Sequence, residues 1–158
     1  MSLKEQQTQA LETMAQHEET IGRLYKVYSS RLPSYAEFWS SLSEAEEEHA
    51  RTLRGLRAGI EDGTVFFQEG RFHIAAIKSS LGYVRERLAE AEKKDVSAPE
   101  ALSVALEIEK SFIDGKAFAF FESDSPKLRQ VLLSLAESTS EHVRIVQSAW
   151  DRIRKPIY

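Results

Sequence analysis

The sequence predicts an all-α protein: a four-helix bundle made of two antiparallel hairpins joined by one long crossover. Three observations point there. Only seven glycines and four prolines interrupt 158 residues, and between them apolar residues recur at the three-to-four spacing of a helix face. Two of the connections are tight turns, whereas roughly 35 residues (61–97) lie between the resulting pairs, enough to travel the length of a bundle. With 42% hydrophobic and 29% charged residues, the chain has the composition of one ordinary globular domain, placed at 1–158.

The first helix is expected over 3–32, ended by Pro33, with Leu11, Met14, Ile21, Tyr25, Tyr28 and Leu32 on its apolar stripe. The second, over 35–60, follows Ser34, which has capping-box spacing to Glu37. Its stripe is Tyr35, Phe38, Trp39, Leu42, Leu53, Leu56 and Ile60, and it fades near Gly59 and Gly63. The crossover, 61–97, begins irregularly and contains a shorter helical stretch at about 74–93. Ser97 and Glu100 form a second capping box, with Pro99 in the first turn of a helix over 98–122 that carries Leu102, Leu106, Phe112, Ile113 and Phe120. The last helix, 126–154, turns Leu128, Leu132, Leu135, Ile145, Ala149 and Trp150 inward. Arg152, Arg154 and Lys155 suit the negative end of its dipole, and Pro156 stops it. Two hairpins with one long crossover is the ferritin-like form of the four-helix bundle.

Composition removes several kinds of chemistry. Without cysteine there is no disulfide scaffold, cysteine-held zinc or iron–sulfur centre, or thiol nucleophile. A formal charge of −4 is not the basic footprint of a nucleic-acid binder. Apolar runs such as 117–121 and 131–133 are too short to span a bilayer. The opening residues, MSLKEQQ, lack a signal-peptide core, so a cytoplasmic location is expected.

The informative residues are polar ones that fall on apolar stripes. Glu18 shares the face of Leu11, Met14 and Tyr25, while its neighbour Glu19 is turned away. Glu46 is four beyond Leu42 and His49 four before Leu53, making an inward Glu-x-x-His pair. Glu109 is seven after Leu102; His142 is seven after Leu135. Each helix thus carries an ionisable group inward near its middle. Three buried carboxylates repel one another and are costly to desolvate, so a cation is expected among them. Oxygen and imidazole donors without sulfur suit iron, manganese or zinc.

These positions carry a resemblance. The chain resembles the rubrerythrin-like members of the ferritin-like superfamily, in a form without a rubredoxin domain. Their metal site takes one Glu from each of two helices and a Glu-x-x-His from each of the other two. Glu18 with Tyr25 matches the first helix, Glu46 with His49 the first Glu-x-x-His, Glu109 the third helix and His142 the final histidine. The resemblance implies a di-iron-type centre held by Glu18, Glu46, His49, Glu109 and His142, with two ions and with Mn or Zn as alternatives to Fe. It implies peroxide reduction or Fe(II) oxidation, a separate electron-donor protein and a homodimer; no individual catalytic residue is assigned. Two positions depart from the pattern: Thr139 stands three before His142 where the family has a Glu, and Lys116 replaces an aromatic.

The competing reading is a metal-free, degenerate bundle serving as a structural or interaction module. In it Lys116 neutralises Glu109, and the two histidines hydrogen-bond the other carboxylates. His17, beside Glu18, is expected to be half-exposed, and His73 to lie at the surface. Tyr25 and Tyr28 are expected to be core residues with bonded hydroxyls.

Overall fold

The computed structural model describes residues 1–66, 74–114 and 125–154. These form α1 (Leu3–Arg31), α2 (Ala36–Arg54), α3 (Arg57–Asp62), α4 (Ile74–Lys93), α5 (Ala98–Asp114) and α6 (Pro126–Arg154), with a 3-10 turn at Pro33–Tyr35. No strand occurs among the described residues, and no helix there is long and apolar enough to cross a membrane. The all-α expectation therefore holds. Lys116, Phe120, His73, Lys155 and Pro156, and the expected continuation of the third predicted helix to 122, lie outside the described residues.

α1 and α2 run antiparallel. Tyr28 meets Trp39, Ser43 Oγ donates to the Gly22 carbonyl at 2.7 Å, and Arg54 pairs with Glu12 and Glu19. α4 lies along the other side of α1, tied by His17 to Ser80 and by Arg31 to the Glu92 carbonyl. α5 packs along α6, and α6 touches α2. Capping follows the sequence in part. Ser97 and Glu100 form the expected reciprocal cap; Ser2 and Glu5 form another. The cap expected from Ser34 and Glu37 is not made, because Pro33–Tyr35 takes a 3-10 turn and leaves Tyr35 as the cap residue of α2.

Several expectations need correction. The second predicted helix does not run unbroken to residue 60: at Gly55 the ladder tightens, Leu56 donating to Leu53, and α3 starts afresh. Glycine is the weakest non-proline helix former, and this break still lets Leu53, Leu56 and Ile60 share one apolar cluster. α3 then ends at Gly63, whose φ of +82° is the left-handed stop that glycine adopts without strain. The crossover helix is not a minor element. α4 has 20 residues against 19 in α2 and buries its own stripe of Ile77, Leu81, Val84, Leu88 and Ala91. Tyr35 and Ile145 are exposed rather than inward; Val146, one residue on from Ile145, takes the core position.

The core divides into two clusters. One gathers Ile21, Leu24, Tyr25, Tyr28, Trp39, Leu42, Leu102, Ile108 and Val146 with neighbours from α4 and α5. The other gathers Leu11, Met14, Leu53, Ile60, Ile77, Leu128 and Leu135 around the opposite end. Along α1, α2 and α6 the two clusters are separated by one polar stretch.

Candidate metal centre

The polar stretch lies where the helical arithmetic puts it. α1 passes from Met14 through Glu18 to Ile21, α2 from Leu42 through Glu46 and His49 to Leu53, and α6 from Leu135 through Thr139 and His142 to Val146. α5 adds Glu109 after Ile108. All five predicted site residues are buried: Glu18 is 4% exposed, Glu46 2%, His49 8%, Glu109 3% and His142 5%.

They form two groups that share Glu46. Ligand atoms of Glu18, Glu46 and His49 lie within 4.8 Å of one another, and so do those of Glu46, Glu109 and His142. Both imidazoles turn Nδ1 toward the carboxylates and lie nearly parallel, with centroids 5.7 Å apart. His142 Nδ1 is hydrogen-bonded to Glu46 Oε1 at 2.9 Å and stands 3.5 Å from Glu109. His49 Nδ1 is 3.3 Å from Glu46 and 3.9 Å from Glu18 but has no hydrogen-bond partner. Its other nitrogen, Nε2, is held by Ser138 Oγ at 2.8 Å.

The electrostatics record the crowding. Burial, reinforced by Glu46, pushes the Glu18 carboxyl up to about 8. Burial alone would lower both site histidines, but the carboxylates outweigh it. Glu18 and Glu46 raise His49 to about 10, and Glu109 and Glu46 raise His142 to about 10. Near neutral pH the metal-free layer therefore offsets its buried charge with protons, on two imidazoles and one carboxyl. A bound cation would replace those protons.

Three supports were not legible as site features. Gly22 brings α1 and α2 together beside the layer: a Cβ there would stand 3.3 Å from the Ser43 carbonyl oxygen and 3.5 Å from Glu46 Cβ. A glycine inside an otherwise regular helix was the available signal, since it costs about 1 kcal/mol against alanine. Ser138, which orients His49, gives no sequence signal. His17 is wholly buried, not half-exposed, and its Nε2 bonds Ser80 Oγ at 2.8 Å; burial holds it near 4, against the pull of Glu18. Tyr25 meets its expectation, its hydroxyl donating to Glu109 Oε1 at 2.8 Å within the core. Thr139 is also buried, and its hydroxyl bonds back to the Leu135 carbonyl at 2.9 Å.

No family model, characterised protein or solved structure matches the chain.

Proposed function

We propose that this chain is a dinuclear metal-binding protein of the rubrerythrin-like, ferritin-like kind, with α1, α2, α5 and α6 as the four-helix bundle. The observation that carries the reading is the pair of buried Glu/His groups that share Glu46, each with its ligand atoms within 4.8 Å of one another, while Ser138 holds the outer nitrogen of His49. Without a metal, that imidazole and the Glu18 carboxyl carry protons among the crowded carboxylates, and a cation bound there would take the protons' place. A hydrogen bond fixing the outer nitrogen of a ligating histidine is the usual support of metal sites.

Glu18, Glu46 and His49 would hold one ion, and Glu46, Glu109 and His142 the other. Oxygen and imidazole donors fit iron, manganese or zinc. When bound, two iron ions supply the two electrons that, with two protons, turn hydrogen peroxide into two waters. The chain keeps the site dry between its apolar clusters, Tyr25 holds one oxygen of Glu109, and Thr139 leaves a neutral side chain where a sixth ligand would stand. Reducing electrons come from outside the chain.

One observation favours the metal-free alternative: the bonds from Tyr25 to Glu109 and between His142 and Glu46 already satisfy part of the layer. Elemental analysis of untagged protein from iron-supplemented culture separates the two readings. About two iron per chain, lost in His49→Ala, supports the proposal. No metal after exposure to Fe(II), Mn(II) and Zn(II) leaves the structural module.

A further inference from the structure

The side chains of the polar layer do not balance the charge of two metal ions. Glu18, Glu46 and Glu109 bring three negative charges, and His49 and His142 bind a metal as neutral imidazoles. Two divalent ions bring four positive charges against those three, one in excess. With a single ion bound there is no such excess; it arises only when the second enters. The layer lies between the two apolar clusters, and its five ligand residues are at most 8% exposed. An uncompensated charge in such a place is strongly disfavoured.

Among the described residues no further carboxylate turns inward to meet that charge. Thr139 stands one turn before His142 on the buried face of α6, and it is neutral. Its hydroxyl proton is spent on the Leu135 carbonyl at 2.9 Å, so it brings the layer neither charge nor a free donor. Glu137 and Glu141, its neighbours along α6, are exposed, and Glu141 pairs with Arg144. On α1, Glu12 and Glu19 are held by Arg54. The hydroxyls nearest the ligands are committed as well, Tyr25 to Glu109 and Ser138 to His49. Each Glu/His group offers three residues, fewer than the four ligands that even zinc takes. Each ion therefore keeps a position for a ligand from outside the chain.

We infer that the layer takes a small monocarboxylate, of the size of formate or acetate, as a co-ligand of its second metal ion on the side where Thr139 stands. The inference rests on the metal-binding reading. Carboxylate oxygen is the donor that the layer already uses, and one such anion cancels the excess charge. Two consequences follow from the residues. Because every hydroxyl named above is committed, only the ions hold the anion, and the metal-free chain does not bind it. Because the excess arises with the second ion, the anion strengthens the second binding step alone. The second ion and the anion then tighten each other by the same factor.

The test is a calorimetric titration of metal-free, full-length protein with Mn(II) in a perchlorate salt, whose anion coordinates weakly. Added formate should leave the first step unchanged and tighten the second at least tenfold, whereas pivalate, too bulky for a buried layer, should do neither. Bound Mn(II) should also broaden the carbon-13 resonance of formate. Thr139→Glu supplies the missing charge from the chain, and at equal Mn(II) content it should abolish both the tightening and the broadening. Thr139→Val removes only a hydroxyl that the anion does not use, and it should behave as wild type; it keeps the test decisive if the added glutamate prevents folding. Two ions bound equally well with and without formate overturn the inference and leave the metal centre standing, with hydroxide from a bound water as the balancing anion. An equal effect of pivalate, or loss of the formate effect in Thr139→Val, overturns it too. A folded chain that takes no metal in either solution overturns the metal-binding reading and this inference together.

Discussion

The two halves of the buried polar layer use the same kinds of residue at the same helical register, yet they stand in different states. In the half built from α1 and α2, His49 Nδ1 makes only long ion pairs, 3.3 Å to Glu46 and 3.9 Å to Glu18, and Ser138 has already set its outer nitrogen. In the half built from α5 and α6, His142 is bonded to Glu46, Glu109 accepts from Tyr25, and Thr139 turns its hydroxyl back to its own helix. A cation entering the first half displaces the protons held on Glu18 and His49; one entering the second displaces that of His142 and must also break the hydrogen bonds of Glu46 to His142 and of Glu109 to Tyr25. Burial and ligand type alone do not make a metal site. What distinguishes the halves is how many of their donors are already committed.

The largest effect on this comparison should come from Glu46, which belongs to both groups. Glu46→Ala should abolish binding of both ions, with helical circular dichroism retained. Loss of one ion only would show that the halves are independent. Thr139→Glu should make the halves alike. It is expected to tighten the weaker ion at least tenfold, while adding a buried carboxylate that lowers the stability of the metal-free protein by about 3 kcal/mol in urea unfolding. Equal stability of the metal-free variant and wild type would contradict the view that charge is crowded there.

Acidity separates the loaded and empty layers. Glu18, held near 8, and His49 and His142, held near 10, bind protons more tightly folded than unfolded. The stability they contribute to the metal-free chain is complete below their unfolded values. Glu18's share is lost as pH rises from about 4.5 through 8, and that of the histidines as pH rises from 6.5 through 10. His17, held near 4, acts oppositely, and its contribution is lost as pH falls from 6.5 through 4. Thermal unfolding of the metal-free protein should therefore show a stability maximum in mildly acidic solution and a decline toward pH 10. Excess Zn(II) should flatten the alkaline decline, because the ions replace the protons. A decline that Zn(II) leaves unchanged would show that those groups do not meet the metal.

Smaller effects should sort by half. Ser138→Ala frees the outer nitrogen of His49 and should weaken the tighter ion about tenfold. Tyr25→Phe removes the bond to Glu109 and should shift the weaker ion by about 1 kcal/mol. Calorimetric titration of each variant checks both, and a shift in the opposite half would break the assignment.

Much of this site was legible because one rule was sufficient. Residues three, four and seven apart share a helix face, so Glu18, Glu46, His49, Glu109 and His142 could be placed inward from stripe spacing alone. The failures share a different cause: a stripe says which face is apolar but not how many neighbours a helix has. α1 is covered by α2 on one side and α4 on the other, which widens its buried arc to include His17. α4 was underrated for the same reason. Tyr35 and Ile145 were misplaced at edges of stripes, where one residue step is about 100° and apolar character does not decide direction. Gly55 was read through because the apolar spacing continues across the break. The hydrogen bonds that make the halves unequal depend on which rotamers packing selects, and no spacing rule reports them.

The most direct test of the account is a calorimetric titration of metal-free protein with Mn(II) and Zn(II). Two ions per chain are expected, binding in separate steps, with the tighter step lost in His49→Ala and the weaker one lost in His142→Ala. A flat titration with a fully folded chain, or a single step untouched by both substitutions, would contradict a metal centre in this layer.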